Sequence, residues 1–139
     1  MSTDFRDAAN RHFEDAELLL AQDRGANADH LFGLSAECSL KAVMLALGME
    51  PADDGGPRDR NYRVHMPHLW AVFQSFAEGR LASRYLEPLD KANPFADWGV
   101  EQRYWARTSI AVAAPAARKT AAEQCRQSLE KLLLDGVTG

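Results

Sequence analysis

The stretch Asn27–Leu47 reads NADHLFGLSAECSLKAVMLAL. Its apolar residues fall into two sets, each spaced by three and four. One set is Leu31, Leu34, Cys38, Ala42 and Leu45; the other is Phe32, Ala36, Leu40, Val43 and Leu47. That spacing places each set on one face of an α-helix. Two apolar faces need cover on two sides, so the stretch predicts the central helix of a bundle, ended by Gly48.

The rest of the chain supplies the cover. Phe5, Ala9, Phe13, Ala16 and Leu20 share one face of a first helix, with Asp4 and Gly25 as boundary signals. A third helix starts near Met66-Pro67, carries Leu69, Val72, Phe73 and Phe76, and breaks at Gly79. Leu81, Tyr85, Leu86 and Leu89 predict a short fourth helix, stopped by the Asn93-Pro94 turn. Phe95 to Trp105 is aromatic and irregular, and reads as a packed loop. The last helix runs from near Pro115 to Leu134, with Arg118, Ala122, Cys125, Leu129 and Leu132 on one face. Strand-like alternation and internal repeats are absent from the sequence. The predicted fold is all-α: one domain over residues 1–139, an up-and-down bundle of four long helices and one short one. A long loop, 48–65, separates the second and third helices, and loops of that length are usually functional or mobile.

Composition bounds the function. The chain has 139 residues, 46% hydrophobic and 26% charged, which fits one soluble globular domain and excludes a disordered tail, a collagen-like repeat and a disulfide scaffold. Its apolar stretches are too short to cross a bilayer, and Met1–Arg6 lacks a signal-peptide pattern, so no membrane association and a cytoplasmic location are expected. A net charge of −4 argues against a generic nucleic-acid binder. The charge is uneven, however. Residues 1–50 hold nine acids and four bases; residues 51–139 hold eleven acids and twelve bases. A basic face on an acidic protein is therefore expected. Cys38 and Cys125 read as small core residues of a reduced protein.

Several clusters carry chemistry. Glu37 and Lys41 lie four apart on the central helix, an order that favours an ion pair. The pair is read as structural, with a ligand or partner cleft as the alternative. His65 and His68 share a spacing seen in metal sites, but no carboxylate follows in a metal-binding pattern, so neither metal nor cofactor is expected. Arg58, Arg60 and Arg63 with Tyr62 make the loop basic, and forked guanidinium donors beside an aromatic suit phosphate or RNA. Trp98, Arg103, Tyr104, Trp105 and Arg107 are the densest aromatic and basic cluster. Trp98 is expected to plug the bundle, and Trp105 or Arg107 to serve an interface.

Four segments in order carry a resemblance: Asp15-Ala16-Glu17-Leu18-Leu19, Ser35-Ala36-Glu37-Cys38-Ser39-Leu40-Lys41, the stretch His65–Phe73, and Gln102-Arg103-Tyr104 before the last helix. Their order resembles HEPN domains, the "higher eukaryotes and prokaryotes nucleotide-binding" helical bundles. The resemblance covers nearly the whole chain. It implies a homodimer. Many members resemble RNA-cleaving toxins of toxin–antitoxin pairs, whose signature is an Arg followed four to six residues later by a His on a late helix. Other branches look like binding or assembly modules, often paired with a minimal nucleotidyltransferase protein. Here all four histidines, His12, His30, His65 and His68, precede residue 69, so the signature is missing from its place. The spacing occurs once elsewhere, as Arg60 and His65. The leading expectation is a non-catalytic homodimer that binds nucleotide, RNA or a partner protein through Arg58, Arg60, Arg63, Arg103, Tyr104 and Arg107. The alternative is a metal-independent ribonuclease using Arg60 and His65.

Overall fold

The computed structural model describes residues 2–137, and those residues contain four α-helices and no named strand. Helix α1 spans Phe5–Ala21, α2 Gly25–Ala46, α3 His68–Gly79 and α4 Ala114–Leu134. Asp4 opens α1 by accepting the Asp7 N–H at 2.9 Å. The connection from α1 to α2 is only Gln22–Arg24, which forces the two helices antiparallel. They close on small residues at one level, where the buried Ser35 hydroxyl donates to the Ala9 carbonyl at 2.7 Å, and on aromatic rings at another, where Phe13 meets Phe32 edge-on at 5.3 Å. α2 packs along both α1 and α4, as a central helix must.

The two stripes of α2 differ in cover. Phe32, Ala36, Leu40 and Val43 are fully buried. Leu31, Leu34, Cys38, Ala42 and Leu45 are only partly covered. The second buried flank is instead a mixed one that includes Asp29, Gly33, Glu37, Lys41 and Met44. Apolar periodicity does not register that flank, because it buries its polar groups in pairs.

The short fourth helix is a single 3₁₀ turn, Ser83–Leu86, that buries Tyr85. Leu81, assigned to its apolar face by sequence, is 95% exposed at a turn with φ +54°. The segment between α2 and α3 contains no α-helix but has internal order. Pro51 and Pro57 form an isolated bridge, Arg60–Tyr62 is a 3₁₀ turn, and the Tyr62 ring packs edge-on to Phe76 at 5.4 Å. Gly55 has φ +86° and presses on Thr3, where a Cβ would lie 2.7 Å from a backbone oxygen. None of the described helices is long and apolar enough to cross a membrane.

Candidate functional site

Three polar constellations stand out, and the fold gives each a different character. The first clamps the aromatic segment to the bundle. Asp29 on α2 is 1% exposed, and its carboxylate accepts from Arg118 Nε of α4 at 3.1 Å and from Gln102 Nε2 at 2.8 Å. Arg118 also donates to the Pro94 carbonyl at 2.7 Å and reaches the Asp97 carboxylate at 2.8 Å. Trp98 lies in the same seam, 2% exposed, with its indole N–H on the Asp29 carbonyl at 3.2 Å. The buried polar groups of Asp29, Gln102, Arg118 and Trp98 are matched to one another, which marks the seam as structural.

The second constellation centres on Glu37. Its carboxylate is 7% exposed and takes Lys41 Nζ at 3.4 Å, the Met66 N–H at 3.2 Å, and His65 Nδ1 at 3.0 and 3.1 Å. Glu37 thus pairs with Lys41 as the spacing predicts, and also holds the end of the 47–67 segment. A carboxylate on Nδ1 orients the imidazole and leaves Nε2 to act as a base. The His65 side chain is 54% exposed, so the ring is open to solvent.

The third is a groove of about 720 Å³ where the α1–α2 turn meets the chain entering α4. Leu20, Trp105, Ile110 and Pro115 supply apolar surface; Arg24 and Arg107 supply charge. Neither arginine forms an ion pair among the described residues. Asp23 lines the groove too, at φ +59°. Gly25 closes one side, because the starts of α2 and α4 abut: a Cβ on Gly25 would lie 3.3 Å from the Pro115 ring. Just outside the groove, Arg103 lies over the Tyr104 ring at 4.7 Å and donates to the Val100 carbonyl at 3.1 Å. Tyr104 is 79% exposed and Trp105 44%. A concave, largely apolar groove with a few charged groups is the usual shape of a small-ligand site.

The arginines nominated by sequence divide between two places. Arg107 borders the first turn of α2, whereas the 47–67 segment leaves the far end of α2 and is held at its own end by Glu37, about 18 Å along the helix axis from Gly25. Within that segment Arg58 pairs with Glu50 at 3.2 Å and Asp53 at 3.8 Å. Arg63 donates to the Pro57 carbonyl at 2.6 Å and pairs with Asp54 at 3.5 Å. Those two guanidiniums knit their own segment together, and the acids that hold them were visible beside them in the sequence. Arg60 forms no ion pair among the described residues.

His30 was not singled out by sequence. It stacks on Trp98 with ring centroids 5.7 Å apart, and its Nδ1 is buried without a partner. Burial, then the nearby Arg103, holds its pKa below the usual histidine range. Burial does the same to His12, helped by Arg11. Both rings are therefore held toward the neutral form. The Cys38 thiol is pushed up to about 12, by burial and then by Glu37, and burial also raises Cys125. Neither thiol has the lowered pKa of a nucleophile. No described group of three or more His, Cys, Asp or Glu residues can hold a metal ion. No known family model, curated protein or solved structure matches this chain.

Proposed function

We propose that the chain is a HEPN-type bundle that acts as a homodimeric, non-catalytic module binding nucleotide or RNA, with a minimal nucleotidyltransferase as its protein partner. The observation that carries the binding reading is the pairing of Trp105 and Arg107, nominated by sequence, with Arg24 around one groove. The exposed Arg103–Tyr104 pair extends that surface. Guanidiniums without carboxylate partners are free to take phosphate, and exposed aromatic rings are free to stack bases. The homodimer and the nucleotidyltransferase rest on the resemblance alone.

The test is fluorescence anisotropy with a labelled single-stranded RNA. Replacing Arg103 and Arg107 together by Ala should weaken binding by about tenfold or more, and lower the dependence on salt by roughly one to two phosphate contacts. Unchanged affinity and unchanged salt slope would remove this surface from the function.

A second reading has its own observation. Glu37 holds Nδ1 of an exposed His65, which is the arrangement of an oriented general base. A ribonuclease built on it would cleave a mixed RNA pool without added metal and lose that activity as His65→Ala. The expected result is no cleavage by either protein. Cleavage that vanishes in the variant would reverse the order of the two readings.

A further inference from the structure

We infer that the groove between the α1–α2 turn and the chain entering α4 is a site for a nucleoside phosphomonoester, either a free nucleoside monophosphate or the phosphorylated end of an RNA strand. The inference rests on the nucleotide-binding reading above and narrows it to one ligand class. Charge decides between a terminal phosphate and an internal one. An internal phosphodiester carries one negative charge and needs one guanidinium. A terminal phosphomonoester carries between one and two charges near neutral pH and presents three acceptor oxygens. Arg24 and Arg107 come from separate parts of the chain, line the same concavity, and form no ion pair with a described carboxylate. Two unpaired guanidiniums around one groove match the dianion better than the diester.

Shape decides the rest of the ligand. The groove holds about 720 Å³, within the range of small-ligand sites. Trp105 offers a partly exposed indole beside the charges, a stacking face for a base. Gly25 and Pro115 shut one side. A strand end fits such a site, whereas the exposed Arg103–Tyr104 pair outside it can serve any part of a strand. Asp23 sets an upper limit on charge. Asp23 lines the same groove as the two arginines and forms an ion pair with neither among the described residues, so both guanidiniums remain for one phosphate while further negative charge meets repulsion. That arrangement admits a monophosphate and works against a triphosphate. The same carboxylate can accept hydrogen bonds from ribose hydroxyls.

The test is calorimetric titration of the full chain with adenosine 5′-monophosphate, adenosine, adenosine triphosphate, and an adenine pentanucleotide RNA with and without a 5′-phosphate. The phosphorylated ligands should bind about tenfold or more tighter than their unphosphorylated forms, with the monophosphate ahead of the triphosphate. Arg24→Ala and Arg107→Ala should each remove that preference, and Asp23→Asn should raise triphosphate affinity. Ala111→Trp, which fills the groove from an exposed position without touching a charge, should abolish monophosphate binding and leave the melting temperature intact. A phosphate preference shown only by the monophosphate, or only by the oligonucleotide, assigns the source of the ligand and supports the site either way. Equal binding of phosphorylated and unphosphorylated RNA, unaffected by Ala111→Trp, would overturn the groove site while leaving RNA binding to the Arg103–Tyr104 surface. Binding of none of these ligands would overturn both.

Discussion

Replacing Arg118 by Met is expected to cost about 3–5 kcal/mol of stability. The methionine nearly fills the space of the stem, so the loss is electrostatic. Among the described residues, Arg118 is the only cation paired with Asp29, a carboxylate 1% exposed. Without it, Asp29 keeps one side-chain donor, the Gln102 amide. The Pro94 carbonyl and the Asp97 carboxylate lose their partner at the same time. A domain of this size has about 5–15 kcal/mol in total, so the variant should melt roughly 10–15 °C lower. Thermal unfolding by circular dichroism measures it. Combining Arg118→Met with Asp29→Leu should recover much of the loss, because an apolar pair in the same volume strands no charge. A single variant that melts within about 2 °C of the parent would show that the seam is hydrated and that the pair contributes little.

How much of this was legible in the sequence depends on the distance over which each contact acts. The α1 face and the Phe32 stripe of α2 were legible because their periodicity is local. The Glu37–Lys41 pair was legible because it lies four residues apart on one helix. The engagement of Glu37 with His65 was not, since the two are joined only by the course of the intervening segment. Asp29 and Arg118 lie further apart still, and no spacing rule reaches that far. Arg24 and Asp23 escaped notice because each is one charged residue in a turn, and what gives them meaning is the 105–115 chain laid against them. The loop arginines are the opposite case. Their chemistry was read from residue type, while the neighbouring Glu50, Asp53 and Asp54 already offered partners for two of the three.

Gly33 concerns the same seam from its other side, and carries the second large effect. In sequence it is a weak point inside a helix, where Ala is favoured by about 1 kcal/mol. In the structure it is the floor on which the Trp98 indole lies. A Cβ there would fall 2.0 Å from Trp98 Cε2 and 2.2 Å from Nε1, far inside contact distance. The ring has no room to give: it is 2% exposed, stacked by His30 on one face and bonded through Nε1 to the Asp29 carbonyl. Gly33→Ala should therefore destabilise by about 2–4 kcal/mol net, the loss of aromatic packing outweighing the gain in helix propensity. It should also flatten the near-ultraviolet circular dichroism of the tryptophans. Trp98→Leu alone should destabilise as well, but Gly33→Ala added to Trp98→Leu should cost almost nothing further, since the ring it collides with is gone. Equal costs of Gly33→Ala with and without the ring would place the strain in the α2 backbone instead. The coupling also reaches the surface that the binding reading uses. The 3₁₀ turn Val100–Tyr104 follows directly from Trp98, and its Gln102 is tied to Asp29. A variant that expels the ring should loosen the mounting of Arg103 and Tyr104 without altering either residue.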